Sequence, residues 1–393
     1  MELPKSKWEF LVVGSKFMIR LPLLYLSYLR SEPAGVFPLS IDINVTDKCN
    51  FQCKHCRGIG ENRELKQEID IVVMKKIIDE MKQMHIPYLT LGGGEPLLRY
   101  DFVLETIEYA TSLHLGVGIV TNGWLLDEDR LLELAGAGLH RIAFSLDGAT
   151  REVHDEIRMP GSFDQIMSWL SYCQQVKREG RFHFRTHINT VVMKQNFKEA
   201  VKIAAIGKKF DATVFYQPVG IPQVYPLEDP SLNPTLGVES FILAGEEIDE
   251  LELQVRKLID FKKRYGTIGN MICQLTDIVD YYKSLESGKS LSKFGCYAGF
   301  NTIHIESDGD FGSCIFMPYV SNVQNIGLRQ AWLSRGYGNQ RRLIKNCTRP
   351  CGLNCYYPSP IFPTHLLYNF LYLPVRQWGY SLLERIRGES GDT

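Results

Sequence analysis

The stretch SIDINVTDKCNFQCKHC, residues 40–56, decides the fold because it joins an alternating apolar segment directly to three closely spaced cysteines. The alternation over SIDINVT predicts a β-strand with one buried face. Ligands of parallel sheets bind in the loops that follow the carboxyl ends of the strands. We therefore expect this strand to begin an α/β domain, and its loop, with Cys49, Cys53 and Cys56, to carry the functional site.

The same alternation of strand and helix continues downstream. Further strands are predicted from YLTLGGG, GVGIVTNG, RIAFSLDG, FRTHINTVV and TVFYQPVG. Amphipathic helices are predicted around 71–85, 101–113, 127–137 and 163–178. A fifth helix opens at Asn196, a predicted cap with Glu199 three residues on. Six such units predict a parallel sheet. Their number predicts a partial (β/α)6 TIM-like barrel over residues 40–220, not a closed eight-stranded barrel.

The composition excludes several classes of protein. Of the 393 residues, 45% are hydrophobic and 23% are charged, as in ordinary globular proteins, and the length predicts more than one structural unit. The formal net charge of −1 offers no general attraction for nucleic acid, so we expect no nucleic-acid partner. Ten cysteines, eight of them in two groups, favour metal or redox chemistry in a reducing compartment, which predicts a cytoplasmic protein.

The spacing of the three loop cysteines favours an iron–sulfur cluster over zinc. A structural zinc site has four protein ligands at paired short spacings, and the next cysteine, Cys173, lies inside a predicted helix. Three thiolates on a cuboidal cluster leave one iron without a protein ligand. We expect this open iron to be the place of substrate chemistry.

The spacing C-x3-C-x2-C, with His55 before the last cysteine, resembles the signature of the radical S-adenosylmethionine (radical SAM) enzymes. The resemblance implies a 4Fe-4S cluster whose fourth ligand is the amino and carboxylate end of S-adenosylmethionine. It implies that the reduced cluster cleaves this molecule to methionine and a 5′-deoxyadenosyl radical, which abstracts hydrogen from a substrate. A reducing partner such as a flavodoxin or ferredoxin is implied as well.

Further segments at predicted strand ends extend this resemblance over roughly residues 40–220. GGGEP resembles the family's GGEP motif, in which glycine backbone approaches the methionine moiety and the glutamate accepts a bond from its ammonium group. SLDGATREVHDEIRMPGSF resembles a stretch of the branch that modifies peptides and related substrates. There Ser145 and Asp147 would lie near the ribose or carboxylate, and Arg158 would pair with the methionine carboxylate.

Each of these segments also has an ordinary structural interpretation. The glycines could serve a turn, Arg158 could be a solvated charge on a helix, and the residues of VTNG could have capping or turn roles. The candidate cofactor-binding residues are His55, Gly93, Gly94, Glu95, Pro96, Thr121, Asn122, Ser145, Asp147, Arg158 and Asn189. We expect them to line one pocket because the matches fall together at successive strand ends.

A second cysteine group lies in residues 294–356. Its members are Cys296, Cys314, Cys347, Cys351 and Cys355. The spacing C-x12-G-x4-C at its start resembles the auxiliary-cluster extension called SPASM, or its shorter form, twitch, and Gly309 would supply the tight turn of a hairpin. Five cysteines are too few for the two clusters of a full SPASM domain, so we expect one auxiliary 4Fe-4S cluster. Its ligands would be Cys296, Cys314, Cys355 and either Cys347 or Cys351. A zinc site built from four of the five is the alternative.

The rest of the chain divides into three regions. Residues 221–293 form a Pro-rich connection followed by a charged helix around 246–265. Residues 1–39 and 357–393 combine apolar residues with basic or aromatic ones, which suits either contact with the inner face of a membrane or packing over the barrel. Two basic residues interrupt the N-terminal apolar stretch, so we expect no membrane span.

The sequence thus predicts a radical SAM enzyme that modifies its substrate by hydrogen abstraction. The outcome would be oxidation, C–C or C–S bond formation, or epimerisation. The substrate stays open between a peptide or protein side chain and a membrane-associated lipid or isoprenoid. The residues before Cys49 are too few for a separate peptide-binding domain, which weakens the peptide alternative. The competing hypothesis is a non-catalytic protein that binds zinc or a structural cluster on the same barrel, and the presence of Glu95 and Arg158 speaks against it.

Overall fold

A computed structural model describes residues 23–24, 26–31, 36–56, 67–220, 239–288, 296–314 and 317–347. Within these ranges, strands form one mixed sheet. They are β1 (Ser40–Thr46), β2 (Tyr88–Gly93), β3 (Gly116–Thr121), β4 (Arg141–Ser145), β5 (Arg185–Val192), β6 (Thr213–Pro218), β7 (Thr302–Ile305), β8 (Asp310–Gly312) and β9 (Ser321–Asn322).

The strand order is β6-β5-β4-β3-β2-β1-β7-β8-β9. Strands β1 to β6 pair in parallel with their sequence neighbours, and β7 pairs in parallel with β1. The last two strands add antiparallel ladders. The predicted parallel-sheet, partial-barrel fold is confirmed, and β7 to β9 extend its sheet beyond β1.

Helices follow the parallel strands as expected. They are α1 (Ile71–Gln83), α2 (Tyr100–Ser112), α3 (Glu128–Gly136), α4 (Arg151–Ile157), α5 (Ser162–Arg178), α6 (Ala200–Lys209), α7 (Glu246–Tyr265), α8 (Ile272–Ser287), α9 (Val323–Ile326), α10 (Leu328–Leu333) and α11 (Arg335–Lys345). Three short 3-10 turns cover Pro96–Arg99, Phe197–Glu199 and Glu239–Phe241. The sequence did not indicate α4, because seven residues are too few to show helical periodicity.

The predicted cap of α6 is wrong. The Asn196 side chain does not cap the helix, because its Oδ1 accepts from the Met193 N–H over 2.8 Å and its Nδ2 donates to the Asp147 carbonyl oxygen over 2.7 Å. Glu199, expected to complete a capping box, instead accepts from the Ala149 N–H over 2.7 Å. Both side chains are buried, and the tertiary bonds satisfy backbone groups of the β4 and β5 loops that would otherwise lack partners.

The two faces of the sheet differ sharply in polarity. Residues of the outer face are at most 1% exposed and form one hydrophobic core with buried side chains of α1 and α2; they include Ile41, Ile43, Leu89, Leu91, Ile303 and Ile305. Alternate residues lie on the opposite face, which we call the inner face: Asp42, Asn44, Thr90 and His304. Closed barrels fill this space with branched apolar side chains. The polar inner face of this open barrel is therefore suited to a polar ligand.

The two cysteine regions lie at opposite edges of the sheet. The cluster loop, residues 49–56, follows the carboxyl end of β1. Cys296 precedes β7, which runs parallel to β1, and Cys314 follows β8, which returns antiparallel. The predicted hairpin is confirmed, and its turn residue Gly309 has a φ of +84° that favours glycine. The seven residues of β1 separate the two edges by roughly 20 Å.

The described part of the N-terminal region packs on the amino edge. Leu24 is 1% exposed and lies in a small hydrophobic cluster with Tyr297, and the Tyr28 ring stacks on that of Tyr297 at 4.0 Å. No helix in the described part of the chain is both long and apolar enough to cross a membrane. Residues 1–22, the 221–238 connection, Cys351, Cys355 and the 357–393 segment lie outside the described residues.

Candidate active site

The three cysteines of the cluster loop lie in different surroundings. Cys49 and Cys53 are half-buried, and Cys56 is exposed. A turn joins the last two, because the Cys56 N–H donates to the Cys53 carbonyl oxygen over 3.0 Å. The Phe51 N–H points to Cys49 Sγ at 3.4 Å. Within the described ranges, no three His, Cys, Asp or Glu side chains lie close enough together to share one metal ion.

The thiols of the loop are electrostatically coupled to Arg158. Burial raises the pKa of Cys49, and burial raises the pKa of Cys53 to about 11, while the guanidinium of Arg158 opposes both shifts. Arg158 Nη1 lies 3.9 Å from Cys53 Sγ. Because thiolates are the metal-binding form of cysteine, this positive charge favours the state that an iron ligand requires.

The glycines of GGGEP allow the β2 loop to approach the cluster loop closely. The Gly94 N–H donates to the Thr46 carbonyl oxygen over 2.8 Å, and the Glu95 N–H donates to that of Lys48 over 2.9 Å. A Cβ at Gly94 would lie 2.0 Å from the Lys48 carbonyl oxygen. Gly93 has a φ of +115°, and its Cβ would lie 2.5 Å from the Thr46 carbonyl oxygen. Gly94 and Gly93 therefore support the cysteine loop through backbone contact.

Glu95 is the buried centre of the adjoining network. It is 1% exposed, and its Oε1 accepts from the Thr121 hydroxyl over 2.8 Å and from the Leu97 N–H over 3.1 Å. Its Oε2 accepts from the Asn122 N–H over 2.8 Å. Burial raises its pKa despite these donors. Pro96 begins the short 3-10 turn after it, so the carboxyl group is held in one orientation between β2 and β3.

Asn122 connects this network to the cysteines. Its Nδ2 donates to Asn50 Oδ1 over 2.8 Å and lies 4.0 Å from Cys49 Sγ. Its own Oδ1 accepts from the Trp124 N–H over 3.0 Å. The carboxyl end of β3 is thereby tied to the first cysteine of the loop.

Asp147 anchors the other side of the loop through a buried ion pair. Its Oδ2 accepts from Arg158 Nε over 2.6 Å and lies 3.6 Å from His55 Nε2. Its Oδ1 accepts from the Val191 N–H over 2.7 Å. Burial tends to raise the pKa of Asp147, but the charge of Arg158, together with His55, His154 and the bond from Val191, outweighs it and holds the pKa below the usual value. Asp147 is 0% exposed, so it positions Arg158 and His55 from behind.

Ser145 and Asn189 occupy the ends of β4 and β5. They are register partners and both are half-buried. The Leu146 N–H donates to the Asn189 carbonyl oxygen over 3.0 Å. Their position at the carboxyl ends of β4 and β5 places them at the same edge of the sheet as the cluster loop.

Two residues behind Asp147 were not among the sequence candidates. His154 Nδ1 accepts from the Asp147 N–H over 3.1 Å, and burial lowers the pKa of His154 to about 4. Asn196 donates to the Asp147 carbonyl oxygen. In the sequence, nothing marks His154 as a partner of Asp147, and Asn196 was predicted to be a helix cap, so no local pattern points to either.

A second polar network, also missed, lies on the inner face beside β1. Glu306 accepts from Asn44 Nδ2 over 2.6 Å and from the Tyr319 hydroxyl, and its Oε1 lies 3.2 Å from His304 Nε2. Burial tends to raise the pKa of Glu306, but its partners, His304 first, lower it to about 2. Burial raises the pKa of Asp42, the register partner of His304. These groups lie between the two cysteine regions.

Two described members of the second cysteine group share one small hydrophobic cluster. Cys296 and Cys314 are half-buried and pack against Ala298, Met317 and Ile344. The Cys347 N–H donates to the Ile344 carbonyl oxygen over 3.0 Å at the end of α11. Two thiols thus pack against Ile344, and the backbone of a third cysteine contacts it; thiols are the donor groups that an iron–sulfur cluster needs.

Comparison with known proteins finds similarity to one superfamily of enzymes. Residues 43–205 match the model of the radical SAM superfamily. The "AdoMet-dependent heme synthase" of Methanosarcina barkeri is 29% identical over 322 residues, which cover 81% of this chain and 89% of that protein. The "Mycofactocin maturase MftC" of Mycolicibacterium smegmatis is 34% identical over 177 residues, or 45% of this chain and 43% of that protein.

Solved structures show the same fold. Streptococcus suis SuiB bound to S-adenosylmethionine superimposes with a TM-score of 0.59 at 18% identity, covering 78% of this chain and 68% of that one. The enzyme anSMEcpe with bound AdoMet superimposes with a TM-score of 0.56 at 18% identity, covering 86% and 98%. Together with the family match, these findings identify residues 43–205 as a radical SAM domain and support a radical SAM enzyme.

Proposed function

We propose that the chain binds a 4Fe-4S cluster through Cys49, Cys53 and Cys56 and cleaves S-adenosylmethionine there to modify a substrate on the inner face of the barrel. When bound, the cluster supplies the electron for this cleavage, and the resulting 5′-deoxyadenosyl radical abstracts hydrogen. The observation that carries the proposal is the buried pair of Asp147 and Arg158, which directs a fixed cation at Cys53.

The residues around the loop would divide the binding of S-adenosylmethionine among them. Arg158 would pair with the methionine carboxylate, since its Nη1 is directed toward the cluster loop while its Nε is held by Asp147. Glu95 would accept a bond from the ammonium group at its Oε2, which among the described residues accepts only from the Asn122 N–H and so keeps a free lone pair. Ser145 and Asn189 would reach the ribose from the neighbouring strand ends.

The first test is anaerobic reconstitution of the full chain, followed by iron counting and a 5′-deoxyadenosine assay with dithionite and S-adenosylmethionine. We expect about eight irons, falling to about four in a Cys49/Cys53/Cys56→Ala variant that makes no 5′-deoxyadenosine. Cys273→Ala is the matched control, because Cys273 belongs to neither cysteine group. Zinc in place of iron, without 5′-deoxyadenosine, would favour the non-catalytic metal-binding hypothesis.

We propose that the second cysteine group binds one auxiliary 4Fe-4S cluster within the 294–356 region. The support is that Cys296 and Cys314 pack against Ile344, whose carbonyl oxygen accepts from the Cys347 N–H. Cys296→Ala and Cys314→Ala should each lower iron content without abolishing uncoupled cleavage of S-adenosylmethionine. Unchanged iron in both variants would refute the auxiliary cluster.

The substrate would contact the polar inner face at Asn44, His304 and Glu306. A peptide or protein side chain is supported by the precursor-peptide complex of SuiB and by the maturase MftC among the similar proteins. A second class, a tetrapyrrole, is favoured by the heme synthase of M. barkeri, because that similarity covers 81% of this chain. Optical titration with iron coproporphyrin distinguishes them: a shifted Soret band that is lost in His304→Ala supports the tetrapyrrole, and no shift favours the peptide.

A lipid or isoprenoid substrate would require contact with the cytoplasmic surface of the membrane. The chain would then act in the cytoplasm, and a flavodoxin or ferredoxin would be its electron donor. Since Leu24 and Tyr28 pack on the barrel, the test should remove only residues 1–22. Loss of co-sedimentation with anionic liposomes in that truncated protein, with unchanged iron content, would support membrane contact. Equal sedimentation of both proteins would contradict it.

A further inference from the structure

A guanidinium is buried in the region of the second cysteine group, residues 294–356. Arg341 on α11 is 1% exposed and lies between two aromatic rings, 4.0 Å from the centroid of Trp332 and 4.5 Å from that of Tyr337. Its Nε donates to the Gly299 carbonyl oxygen over 3.0 Å, and its Nη2 donates to that of Trp332 over 3.2 Å. In the part of the chain that the structure describes, Tyr337 is the only titratable group that acts on its charge, and no carboxylate does.

Such a charge is costly unless an anion lies nearby. A buried charge without a charged partner is strongly disfavoured, and aromatic faces and carbonyl dipoles compensate only in part. Burial accordingly lowers the pKa of Arg341 to about 10. The retention of a guanidinium here therefore calls for a negative group in the same corner of the fold.

Tyr337 provides a second polar group without a partner in the same region. Its side chain is 0% exposed, and among the described residues its hydroxyl has no hydrogen-bond partner. Burial raises its pKa, and the nearby Cys314 adds to the shift. A buried hydroxyl that makes no hydrogen bond is destabilising, so this one also calls for an acceptor on the side of Cys314.

Both groups lie at the turn that follows Cys296. Gly299, whose carbonyl oxygen binds Arg341, comes three residues after Cys296 and has a φ of +76°. A Cβ at Gly299 would lie 2.8 Å from Ser313 Cβ and 3.5 Å from the Tyr337 hydroxyl. The turn after Cys296, the residue before Cys314 and the hydroxyl of Tyr337 therefore meet in one corner.

We infer that Arg341 and Tyr337 stabilise the reduced form of the auxiliary cluster, the first through its positive field and the second through a hydrogen bond to a cluster or cysteine sulfur. The inference rests on the auxiliary cluster of the proposed function. A cluster held by thiolates gains one negative charge when one electron enters it, so a nearby cation and a donor to sulfur both raise its reduction potential. Neither residue is a ligand of the cluster: Arg341 acts through its charge and Tyr337 through its hydrogen bond.

The test is a redox titration of the reconstituted full-length protein, monitored by electron paramagnetic resonance, on Arg341→Met, Arg341→Lys and Tyr337→Phe. We expect Arg341→Met to shift the reduction equilibrium of the auxiliary cluster at least tenfold toward the oxidised form, which is about 59 mV for one electron. Tyr337→Phe should shift it in the same direction by less, and Arg341→Lys should keep most of the wild-type value. The cluster at the opposite edge of the sheet is the internal control and should not shift.

Every outcome decides the inference. Equal shifts in Arg341→Met and Arg341→Lys, or no shift in both Arg341→Met and Tyr337→Phe, would overturn it. If Arg341→Met takes up no auxiliary iron while Arg341→Lys does, with unchanged circular dichroism, the need for charge is upheld. Loss of auxiliary iron from both would overturn it, because the guanidinium would then be needed for its shape. About four irons in the wild type, with intact cleavage of S-adenosylmethionine, would refute the auxiliary cluster and leave the radical SAM assignment standing.

Discussion

Each of the two cysteine regions contains a buried arginine, but the positive charges of the two arginines have different kinds of partner. Around the cluster loop, the cation Arg158 is paired with a buried carboxylate, Asp147, and further polar groups complete the network. Around the second group, the cation Arg341 has aromatic faces and carbonyl oxygens as its described partners. A paired cation can orient a ligand at little net charge, whereas an unpaired one adds positive field. We infer that the region around Arg158 serves to bind a ligand and that the region around Arg341 serves to adjust the reduction potential of a cluster.

Breaking the pair at the first site should have the largest effect. Asp147→Asn leaves Arg158 buried without its counter-charge, which typically costs about 3–5 kcal/mol in the free energy of unfolding. We expect this loss in urea unfolding of the iron-free protein, together with weaker retention of the loop cluster. Asp164→Asn is the matched control, because the Arg151–Asp164 pair is exposed and such pairs contribute little. Equal free energies of unfolding in the two variants would show that burial of the ion pair does not determine how much Asp147 stabilises the protein.

Acid should weaken the first region through His154. Its pKa is lowered in the folded state to about 4, against about 6.5 in the unfolded chain, so between these values the unfolded state binds more protons. Stability should therefore fall as the pH drops from about 6.5 to about 4. His154→Gln should flatten this slope in unfolding measured across that window. The exposed His183 is the control, and a slope that His183→Gln flattens equally would contradict the assignment.

A smaller, steric change should lower the iron content of the first cysteine region and leave that of the second unchanged. Gly94→Ala would put a Cβ 2.0 Å from the Lys48 carbonyl oxygen and push the cluster loop outward, at about 1–3 kcal/mol. We expect the reconstituted variant to lose iron from the loop while the second group keeps its own. Gly92→Ala is the matched control in the same turn, since its Cβ would meet no atom within 4 Å. Full iron loading of Gly94→Ala would show that the close approach is not needed.

The sequence predicted the elements whose signals are local and repeated. The strand alternation, the helices after β1, β2, β3 and β4, and the hairpin at Gly309 follow from periodicity and turn chemistry, and the structure confirms them. The cysteine spacing likewise led to the family that the comparisons show. These features could be predicted because each is encoded within a few consecutive residues.

What the sequence did not reveal depends on distant partners. The Asn196 side chain bonds to Asp147, 49 residues away, instead of capping its own helix. The Glu306 network joins β7 to Asn44 across 262 positions. No local pattern announces such contacts, because they exist only once parallel strands set the register of the inner face. The buried setting of Arg341 is of the same kind, since an arginine in GYGNQRRLIK reads as an exposed helix residue.

The most direct test of two distinct clusters is electron paramagnetic resonance of the reduced full-length protein with and without S-adenosylmethionine. It should be repeated in Cys49/Cys53/Cys56→Ala and in Cys296/Cys314→Ala. The account predicts two reduced-cluster signals in the wild type, of which only the one absent from the triple variant changes when S-adenosylmethionine is added. A single signal, or a change on adding S-adenosylmethionine that persists in the triple variant, would contradict the account.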